Sequence, residues 1–369
     1  QWLSFTFASE TNMWFEDLFG FEEESPSQVR QNLSLEGSRL HSLINGKSYE
    51  CGTLEIPSLC ELRNAAAKQA QDDCGKTSLS EVIGDVQSLH ADQANNGALF
   101  QVASQFNLLE MASPSAVPED GVGIYEFDPT QGPACAIAAG AGTVLRNYLV
   151  PLKDQIGQTR DQQIDCLADI GAEFDHESQQ TWRMQNGYVF ASASGLKRIT
   201  QHLSTLDDQS RDQLRSKLRV GIMWDTEVTL GASRPKVDSA KAPPKPNPNP
   251  NPNLVTQVYC SAVPVAYSTE PAAAWEAFAR LVLEATYEAT FHTAVLNNAR
   301  NGSNILFLTM IGGGAFGNQT RWITDALARA LHLHQNSGLD VRMVSHRSPN
   351  MNIKPLLDQF GKHHSNDMA

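Results

Sequence analysis

Residues 311–322, IGGGAFGNQTRW, stand between an apolar segment over 304–310 and an amphipathic segment over 319–334. These flanks predict a strand followed by a helix. The glycines remove side chains from the connecting loop, so that another group can approach the backbone closely. A loop at the start of a helix also presents unpaired amides at the positive end of the helix dipole. The stretch is therefore either a tight turn or an anion site, and phosphate is the anion we expect.

Two common phosphate-binding loops do not explain this stretch. The loop of nucleotide triphosphatases ends in lysine followed by serine or threonine, whereas Asn318 follows the last glycine here. Gly312, Gly314 and Gly317 do satisfy the G-x-G-x-x-G pattern of dinucleotide-binding folds, and Arg347 suits a 2′-phosphate. That fold needs several further strand–helix units after the loop, and the sequence offers one strand and a short tail. A dinucleotide-dependent oxidoreductase is therefore the least favoured alternative.

The composition indicates a folded, acidic protein. The chain of 369 residues carries 28 Lys and Arg against 41 Asp and Glu, a formal net charge of −13, and 41% of its residues are hydrophobic. That hydrophobic fraction is sufficient for a packed core. An acidic surface does not gather nucleic acid or anionic membranes by counterion release, so we expect no nucleic-acid partner and no membrane partner. Any anion is then held locally, by backbone groups.

The cysteines and the lack of targeting segments point to the cytoplasm or the nucleus. The six cysteines occur without C-x-x-C pairs or histidines at ligand spacing, at Cys51, Cys60, Cys74, Cys135, Cys166 and Cys260. We therefore expect reduced thiols, no disulfide framework and no metal site. The sequence shows no signal-like segment and no run of about 20 apolar residues. We expect no required cofactor.

Three regions differ in composition. Residues 1–45 hold a dense group of Trp and Phe residues, and we expect this extension to pack on the core of a domain that spans 46–369. Residues 231–254 include an Asn-Pro repeat, which cannot donate the hydrogen bonds of a sheet. The repeat predicts an exposed, extended insertion.

Strand and helix patterns alternate along the rest of the chain. Strands are predicted over 49–56, 98–104, 217–230, 255–267, 304–310 and 339–345, and helices over 58–71, 133–150, 272–299 and 319–334. Ser58 and Glu61 have the spacing of a capping box at the start of the first helix. This alternation predicts an α/β fold whose largely parallel sheet is covered on both faces.

A second loop has the same character as the glycine loop. The sequence TQGPACAIAAGAG, residues 130–142, leads into the small-residue helix, and Pro133 stands where a missing N–H is tolerated. If both loops follow neighbouring strands, their amide-rich helix starts would hold a diphosphate from two sides.

The order of these motifs resembles the macrodomain superfamily, whose members bind ADP-ribose. GGGAFG, residues 312–317, is similar to the second phosphate loop of poly(ADP-ribose) glycohydrolases. QVASQFN, residues 101–107, the acidic loop after it and residues 130–142 are most similar to MavL-type macrodomains. Those proteins are bacterial effectors with eukaryotic relatives, and they remove ADP-ribose from protein arginine. The likeness runs from about residue 14 to residue 345 without the insertion, and it implies a macrodomain-like three-layer α/β/α fold with a mixed, largely parallel sheet.

The resemblance also implies which residues bind ADP-ribose. They are Gln105, Asn107, Thr130, Gln131, Gly132, Pro133, Ala134, Cys135, Ala136, Gly312, Gly313, Gly314, Ala315, Phe316, Gly317 and Asn318. Three of them have an alternative interpretation. Phe316 either stacks on the ligand or fills the core, and Asn318 either bonds the ligand or caps the following helix. Cys135 is either a reactive thiol with a low pKa or a small residue that allows the ligand to approach closely.

Cleavage of an ADP-ribosyl bond at C1″ of the distal ribose needs one group to deprotonate water and one to protonate the leaving group. The loop between residues 107 and 130 supplies acids for this chemistry: Glu119, Asp120, Glu126 and Asp128. Asp120 and Asp128 match acids of the MavL-type loop and are the predicted catalytic residues. One would activate water or hold the ribose hydroxyls, and the other would pair with the released guanidinium.

The predicted function is removal of mono-ADP-ribose from a modified protein, with arginine as the favoured linkage. The poly(ADP-ribose) glycohydrolase branch carries two adjacent glutamates after its first glycine triplet, and no such pair follows Gly132. The prediction therefore does not extend to poly(ADP-ribose) chains. The alternative is a module that binds ADP-ribosylated proteins without cleaving them.

Overall fold

The computed structural model describes residues 13–69, 74–175, 179–230 and 251–361. Three features of the sequence prediction lie partly outside these ranges, and one of them is the helix predicted over 58–71, whose residues 70 and 71 are not described. Trp2, Phe5 and Phe7 of the aromatic extension are not among the described residues, and neither are residues 231–250 of the predicted insertion.

The described strands are β1 (Leu33–Glu36), β2 (Arg39–Ser42), β3 (Ser48–Glu50), β4 (Thr53–Glu55), β5 (Ser78–Ile83), β6 (Leu99–Ala103), β7 (Pro151–Leu152), β8 (Gln155–Ile156), β9 (Trp182–Gln185), β10 (Tyr188–Ala191), β11 (Gly221–Glu227), β12 (Leu254–Cys260), β13 (Ile305–Leu308) and β14 (Asp340–Ser345). The described helices are α1 (Met13–Phe19), α2 (Pro26–Asn32), α3 (Leu59–Ala67), α4 (Val86–Ala91), α5 (Gln131–Ala138), α6 (Gly140–Val144), α7 (Ala168–Glu173), α8 (Ala193–Thr205), α9 (Asp208–Arg215), α10 (Ala272–Asn301), α11 (Thr320–Leu333) and α12 (Lys354–Phe360). Short 3-10 turns at Pro118–Asp120, Gly123–Phe127 and Val265–Tyr267 belong to the loops discussed below.

Seven strands form the central sheet in the order β4-β11-β12-β6-β13-β14-β5. The strands from β12 to β5 run parallel to one another, and β11 is antiparallel to both of its neighbours. In β6 the first four residues are all buried, which is the pattern of a strand covered on both faces. The predicted α/β class with a mixed, largely parallel sheet is confirmed.

The connections place helices on both faces of the sheet. The chain moves along the sheet in one direction from β12 through α10 to β13 and through α11 to β14, and in the opposite direction from β5 through α4 to β6. Because such crossovers are right-handed in about 98% of cases, opposite directions put helices on opposite faces. α10 packs against α3, α8, α9 and α11, whereas α4 packs against α5 and α5 against α6. The result is three layers.

Two predicted elements are interrupted. The strand predicted over 49–56 is divided into β3 and β4, which belong to different sheets. Gly52 between them has a φ of +77°, and a Cβ there would lie 2.2 Å from the carbonyl oxygen of Trp224. The helix predicted over 133–150 breaks at Ala139, whose φ of −119° and ψ of 60° are not helical, into α5 and α6.

The N-terminal segment shares the main apolar core. Phe15 and Phe19 of α1 are fully buried, and the Ser42 hydroxyl donates to the carbonyl oxygen of Phe19 at 2.6 Å. β2 pairs with β3, so a three-stranded sheet crosses the boundary predicted between residues 45 and 46. At the other predicted boundary, Asn253 is buried and its Nδ2 donates to His90 O at 2.7 Å, so the packed structure resumes before residue 254.

Among the described residues, no helix combines the length and the apolar character that crossing a membrane requires.

Candidate active site

The carboxyl ends of β6, β12 and β13 meet at one edge of the sheet and open into a cleft. The cleft has about 870 Å³ of free space, open solvent included. Its wall is formed by the strand ends, the loop that follows β6, the start of α5, the glycine loop after β13 and two tyrosines. Ligands of α/β proteins bind most often at this edge of the sheet. The predicted meeting of the two loops thus occurs here.

The glycine loop leaves several amides unpaired. Among the described residues, the N–H groups of Gly314, Ala315 and Phe316 have no hydrogen-bond partner, and all three residues line the cleft. Gly312 and Gly317 have φ values of +75° and +69°, which favour glycine. A Cβ on Gly314 would meet no atom within 4 Å. The loop therefore offers donors, with free space at Gly314, to an anion.

Asn318 stabilises the glycine loop through hydrogen bonds of its backbone and its side chain. Its backbone N–H donates to Gly312 O at 2.9 Å, and its Nδ2 donates to Val263 O at 2.9 Å. Its side chain is only 4% exposed and does not line the cleft. Gly313 and Gly317 also lie outside the lining, whereas Gly312 belongs to it with the three residues named above. Asn318 thus holds the loop in shape rather than facing the cleft.

The start of α5 forms the opposite wall. No side chain caps this helix, and the amides of its first turn have no intrahelical partner. Gln131 fixes the helix start to β6, because its Oε1 accepts from Ala103 N at 2.9 Å and its Nε2 donates to Gln101 O at 2.8 Å. A Cβ on Gly132 would lie 2.0 Å from Ala103 O, so only glycine fits. Thr130 lines the cleft beside them.

The remaining predicted residues of α5 are placed differently. Pro133 lines the cleft, Ala134 lines an adjoining cavity, and Cys135 and Ala136 are fully buried. Burial raises the pKa of the Cys135 thiol well above its usual value, so the reactive-thiol interpretation is wrong. Cys135 is a small packing residue.

Gln105 and Asn107 shape the loop after β6. Gln105 lines the cleft, and its Oε1 accepts from Met111 N at 2.6 Å. Asn107 is fully buried outside the lining, and its Oδ1 accepts from Leu109 N at 3.1 Å. Their amide groups are used within the protein, so both residues position the loop.

The two predicted catalytic acids lie in different surroundings. Asp128 is partly buried in the cleft wall, and its Oδ1 accepts from Thr130 N at 2.9 Å. Asp120 is exposed, does not line the cleft, and accepts from Val117 N at 2.9 Å, which closes its own 3-10 turn. The structure therefore brings Asp128, but not Asp120, to the phosphate-facing loops.

Sequence reasoning missed a third acid, Glu110. It lines the cleft, is only 3% exposed, and its Oε1 has no hydrogen-bond partner among the described residues. Burial raises the pKa of Glu110 well above 4.5. The positive charge of Arg146 lowers this pKa in part, and the neighbouring Asp128 raises it further. Glu110 is thus a buried carboxyl group with a raised pKa that lines the same cleft as Asp128. The sequence signal that could have identified Glu110 is its position between apolar residues, two leucines before it and a methionine after it.

Three aromatic rings form the outer wall. Phe316 lies 5.4 Å from Tyr188 and 5.7 Å from Tyr267, measured between ring centroids, and all three residues line the cleft. The Tyr188 hydroxyl donates to Met111 O at 2.8 Å. Phe316 is partly buried and packs on the two tyrosines, and it lines the cleft. Stacking of Phe316 on a ligand stays a prediction.

A second cavity of about 1350 Å³, open solvent included, adjoins the first. Thr130, Gln131, Thr309 and Met310 line both cavities. Asp85, which follows the unpredicted strand β5, lines the second cavity. The two cavities form a continuous depression across the carboxyl ends of the parallel strands.

No Lys or Arg lines either cavity within the described residues. In the same part of the chain, no group of three or more His, Cys, Asp or Glu side chains is arranged to hold a metal ion. Backbone amides and helix starts are therefore the main positive groups that the described lining offers to an anion.

No family model and no curated protein matches the chain. Solved structures with a similar arrangement include poly(ADP-ribose) glycohydrolase from Deinococcus radiodurans in complex with ADP-ribose, at 10% identity over 83% of this chain and 94% of that chain, with a TM-score of 0.40. The glycohydrolase from Thermomonospora curvata matches at 11% identity over 87% of this chain and 91% of that chain, with a TM-score of 0.38. The same enzyme bound to the inhibitor ADP-HPD matches at 10% identity over 90% and 97%, with a TM-score of 0.38. These values are too low to support a conclusion about activity.

Proposed function

We propose that the protein is an ADP-ribosyl-protein hydrolase that removes mono-ADP-ribose, with arginine as the favoured linkage. One observation carries the proposal: two amide-rich loops and two carboxyl groups, Asp128 and Glu110, line the same cleft. The loops suit a diphosphate and the carboxyl groups suit glycosidic chemistry. The resemblance of the sequence motifs to macrodomains supports ADP-ribose as the ligand.

The ligand would lie across both cavities. Its diphosphate would accept from the amides of Gly314 and Ala315 on one side and from the start of α5 on the other. The adenosine would occupy the second cavity, and the distal ribose would lie near Asp128 and Glu110. Neutral donors are well suited to this task in a chain with a net charge of −13, because they bind the diphosphate without a cationic patch.

The proposed chemistry assigns the two acids different roles according to their surroundings, because Glu110 is buried and Asp128 is only partly buried. Asp128 accepts a proton from water as the water oxygen bonds to C1″. The bond from C1″ to the linking nitrogen breaks, its electron pair stays on that nitrogen, and Glu110 supplies the proton that the nitrogen takes up. Asp128 ends protonated and Glu110 ionised, so proton exchange with solvent restores both. A group that is held protonated by burial is suited to act as the acid in such a step.

Arginine is the favoured linkage because Glu110 would stabilise a cationic leaving group. The guanidinium that is released carries a positive charge, and Glu110 is a carboxylate once it has given up its proton. The partner would be an ADP-ribosylated protein. We place the activity in the cytoplasm or the nucleus, in keeping with a sequence whose six cysteines form no C-x-x-C pair.

The alternative is a module that binds ADP-ribose without cleaving it. The unpaired amides alone would suffice for that function, whereas the carboxyl groups in the cleft favour the hydrolase. Incubation with arginine-, glutamate- and serine-linked ADP-ribosyl proteins separates the two functions. We expect release of ADP-ribose from the arginine-linked substrate. Binding of free ADP-ribose without release from any of the three substrates would establish the module instead.

A further inference from the structure

Glu23, in the N-terminal segment, contacts the loop that carries the cleft acid Asp128. Its Oε1 accepts from Val122 N at 3.0 Å and its Oε2 accepts from Gly123 N at 2.7 Å. The hydroxyl of buried Tyr148 donates to Oε1 at 2.6 Å. Three donors therefore converge on one carboxylate from positions 99 to 125 residues away in the sequence.

The loop packs closely against Glu23 at Gly121. Gly121 has a φ of +91°, and a Cβ there would lie 2.6 Å from Glu23 Oε2. Trp14, from the same N-terminal segment, donates its Nε1–H to Gly123 O at 3.3 Å. The segment thus holds both the N–H and the C=O of Gly123.

The contacts of Glu23 continue to both cleft acids. Gly123 begins the 3-10 turn Gly123–Phe127, and Asp128 ends it by donating its N–H to Tyr125 O at 3.2 Å. The hydroxyl of Tyr125, in the same turn, accepts from Glu110 N at 3.0 Å. A shift of this turn would therefore move Asp128 and Glu110 together.

We propose that Glu23 is a positioning residue for hydrolysis: it fixes the turn that sets Asp128 and Glu110 relative to each other in the cleft. The inference rests on the proposed function for its reaction, but the anchoring itself is independent of that function. It also gives the aromatic N-terminal segment a role in the active site in addition to its contribution to the core.

A carboxylate is needed because all three groups around it are donors. Glutamine in place of Glu23 keeps one acceptor oxygen and turns an NH2 group toward a donor, so at least one of the two backbone contacts is lost. Val122 and Gly123 are buried, and unpaired buried amides favour movement of the turn. Small displacements of catalytic groups reduce turnover strongly. The glycine loop is held by separate hydrogen bonds, such as the one from Asn318 N to Gly312 O, so most of the affinity for ADP-ribose should remain.

The test compares Glu23→Gln with Glu22→Gln, which changes an exposed neighbour in the same acidic run. The full chain is assayed for kcat on an arginine-linked ADP-ribosyl peptide, for the Kd of free ADP-ribose, and for amide hydrogen exchange in peptides that contain residues 117–128. For Glu23→Gln we expect kcat to fall at least about tenfold, Kd to change less than about threefold, and exchange in the loop to accelerate. Glu22→Gln should resemble the wild type in all three measurements.

Unchanged kcat together with unchanged exchange in Glu23→Gln overturns the proposal, and so does an equal loss of kcat and ADP-ribose affinity. If Glu23→Gln does not fold, Tyr148→Phe removes one of the three donors without a change of charge, and it should reduce kcat and accelerate exchange to a smaller extent. A wild-type chain that cleaves no ADP-ribosyl substrate contradicts the proposed function. The exchange measurement then still decides whether Glu23 holds the loop.

Discussion

Replacing Gly314 by glutamate introduces a negative charge into the proposed diphosphate site with little disturbance of the fold. The φ of Gly314 lies outside the left-handed region, so residues other than glycine can adopt its backbone conformation. A Cβ added at Gly314 would meet no atom within 4 Å. At a separation of about 5 Å and an effective dielectric constant of about 20, one pair of like charges costs about 3 kcal/mol. We therefore expect Gly314→Glu to weaken ADP-ribose binding by roughly 100-fold.

Two variants at the same position separate charge from size. Gly314→Ala should bind within about threefold of the wild type, because its methyl group enters free space. Gly314→Lys, similar in length to glutamate and opposite in charge, should bind ADP-ribose at least as well as Gly314→Ala. Isothermal titration calorimetry with free ADP-ribose at constant ionic strength gives the three affinities. Equal losses for Glu and Lys, or wild-type affinity for Gly314→Glu, would refute an anion site at this loop.

Three further predictions concern catalysis and stability. Asp128→Asn should lower turnover of an arginine-linked substrate by about 100-fold or more, whereas Asp120→Asn, at an exposed position, should lower it less than about tenfold. Comparable losses for the two variants would show that Asp120 also takes part in catalysis. Ser58→Ala should reduce the free energy of unfolding by about 1 kcal/mol in urea titrations, because Ser58 Oγ accepts from Glu61 N at 3.2 Å in the capping box; no change would show that the cap is dispensable. Burial alone would raise the pKa of Glu288, but hydrogen bonds from neighbouring cationic side chains outweigh burial and lower it below 4.5. The contribution of Glu288 to stability is therefore present above pH 4.5 and is lost as the pH falls toward the lowered pKa. The difference in the free energy of unfolding between the wild type and Glu288→Gln should decrease on acidification. A difference that does not change with pH would contradict the lowered pKa of Glu288.

Features with a local cause were predictable from the sequence. The capping box at Ser58 is present, and the order of strand, glycine loop and helix agrees with β13 and α11 to within one or two residues. Each of these features depends on residues that are near each other in the chain, such as the apolar run of β13 or the glycines that require positive φ. The α/β class followed from their alternation.

Features that depend on contacts between distant residues were not predictable. β5 was missed because its sequence, SLSEVI, has no continuous apolar run, and its place at the edge of the sheet depends on pairing with β14. The hairpin of β9 and β10, which brings Tyr188 to the cleft, was missed as well. Asp120 and Asp128 look equivalent in the sequence, yet only Asp128 lines the cleft. The raised pKa of Glu110 comes from burial by residues distant in the chain, and the local sequence indicates it only through the apolar neighbours of this acid.

The hydrolase proposal is tested most directly by intact-mass measurement of an arginine-ADP-ribosylated protein that is incubated with the wild type, Glu110→Gln or Gly314→Glu. We expect the wild type to remove the ADP-ribosyl mass and both variants to remove it at least about 100-fold more slowly. Glu110→Gln should do so with nearly unchanged affinity for free ADP-ribose, because Glu110 acts on the breaking bond rather than on the diphosphate. A substrate mass that stays unchanged with the wild type would contradict the proposed hydrolysis. A Glu110→Gln variant that is as fast as the wild type would contradict the role of Glu110 as the acid.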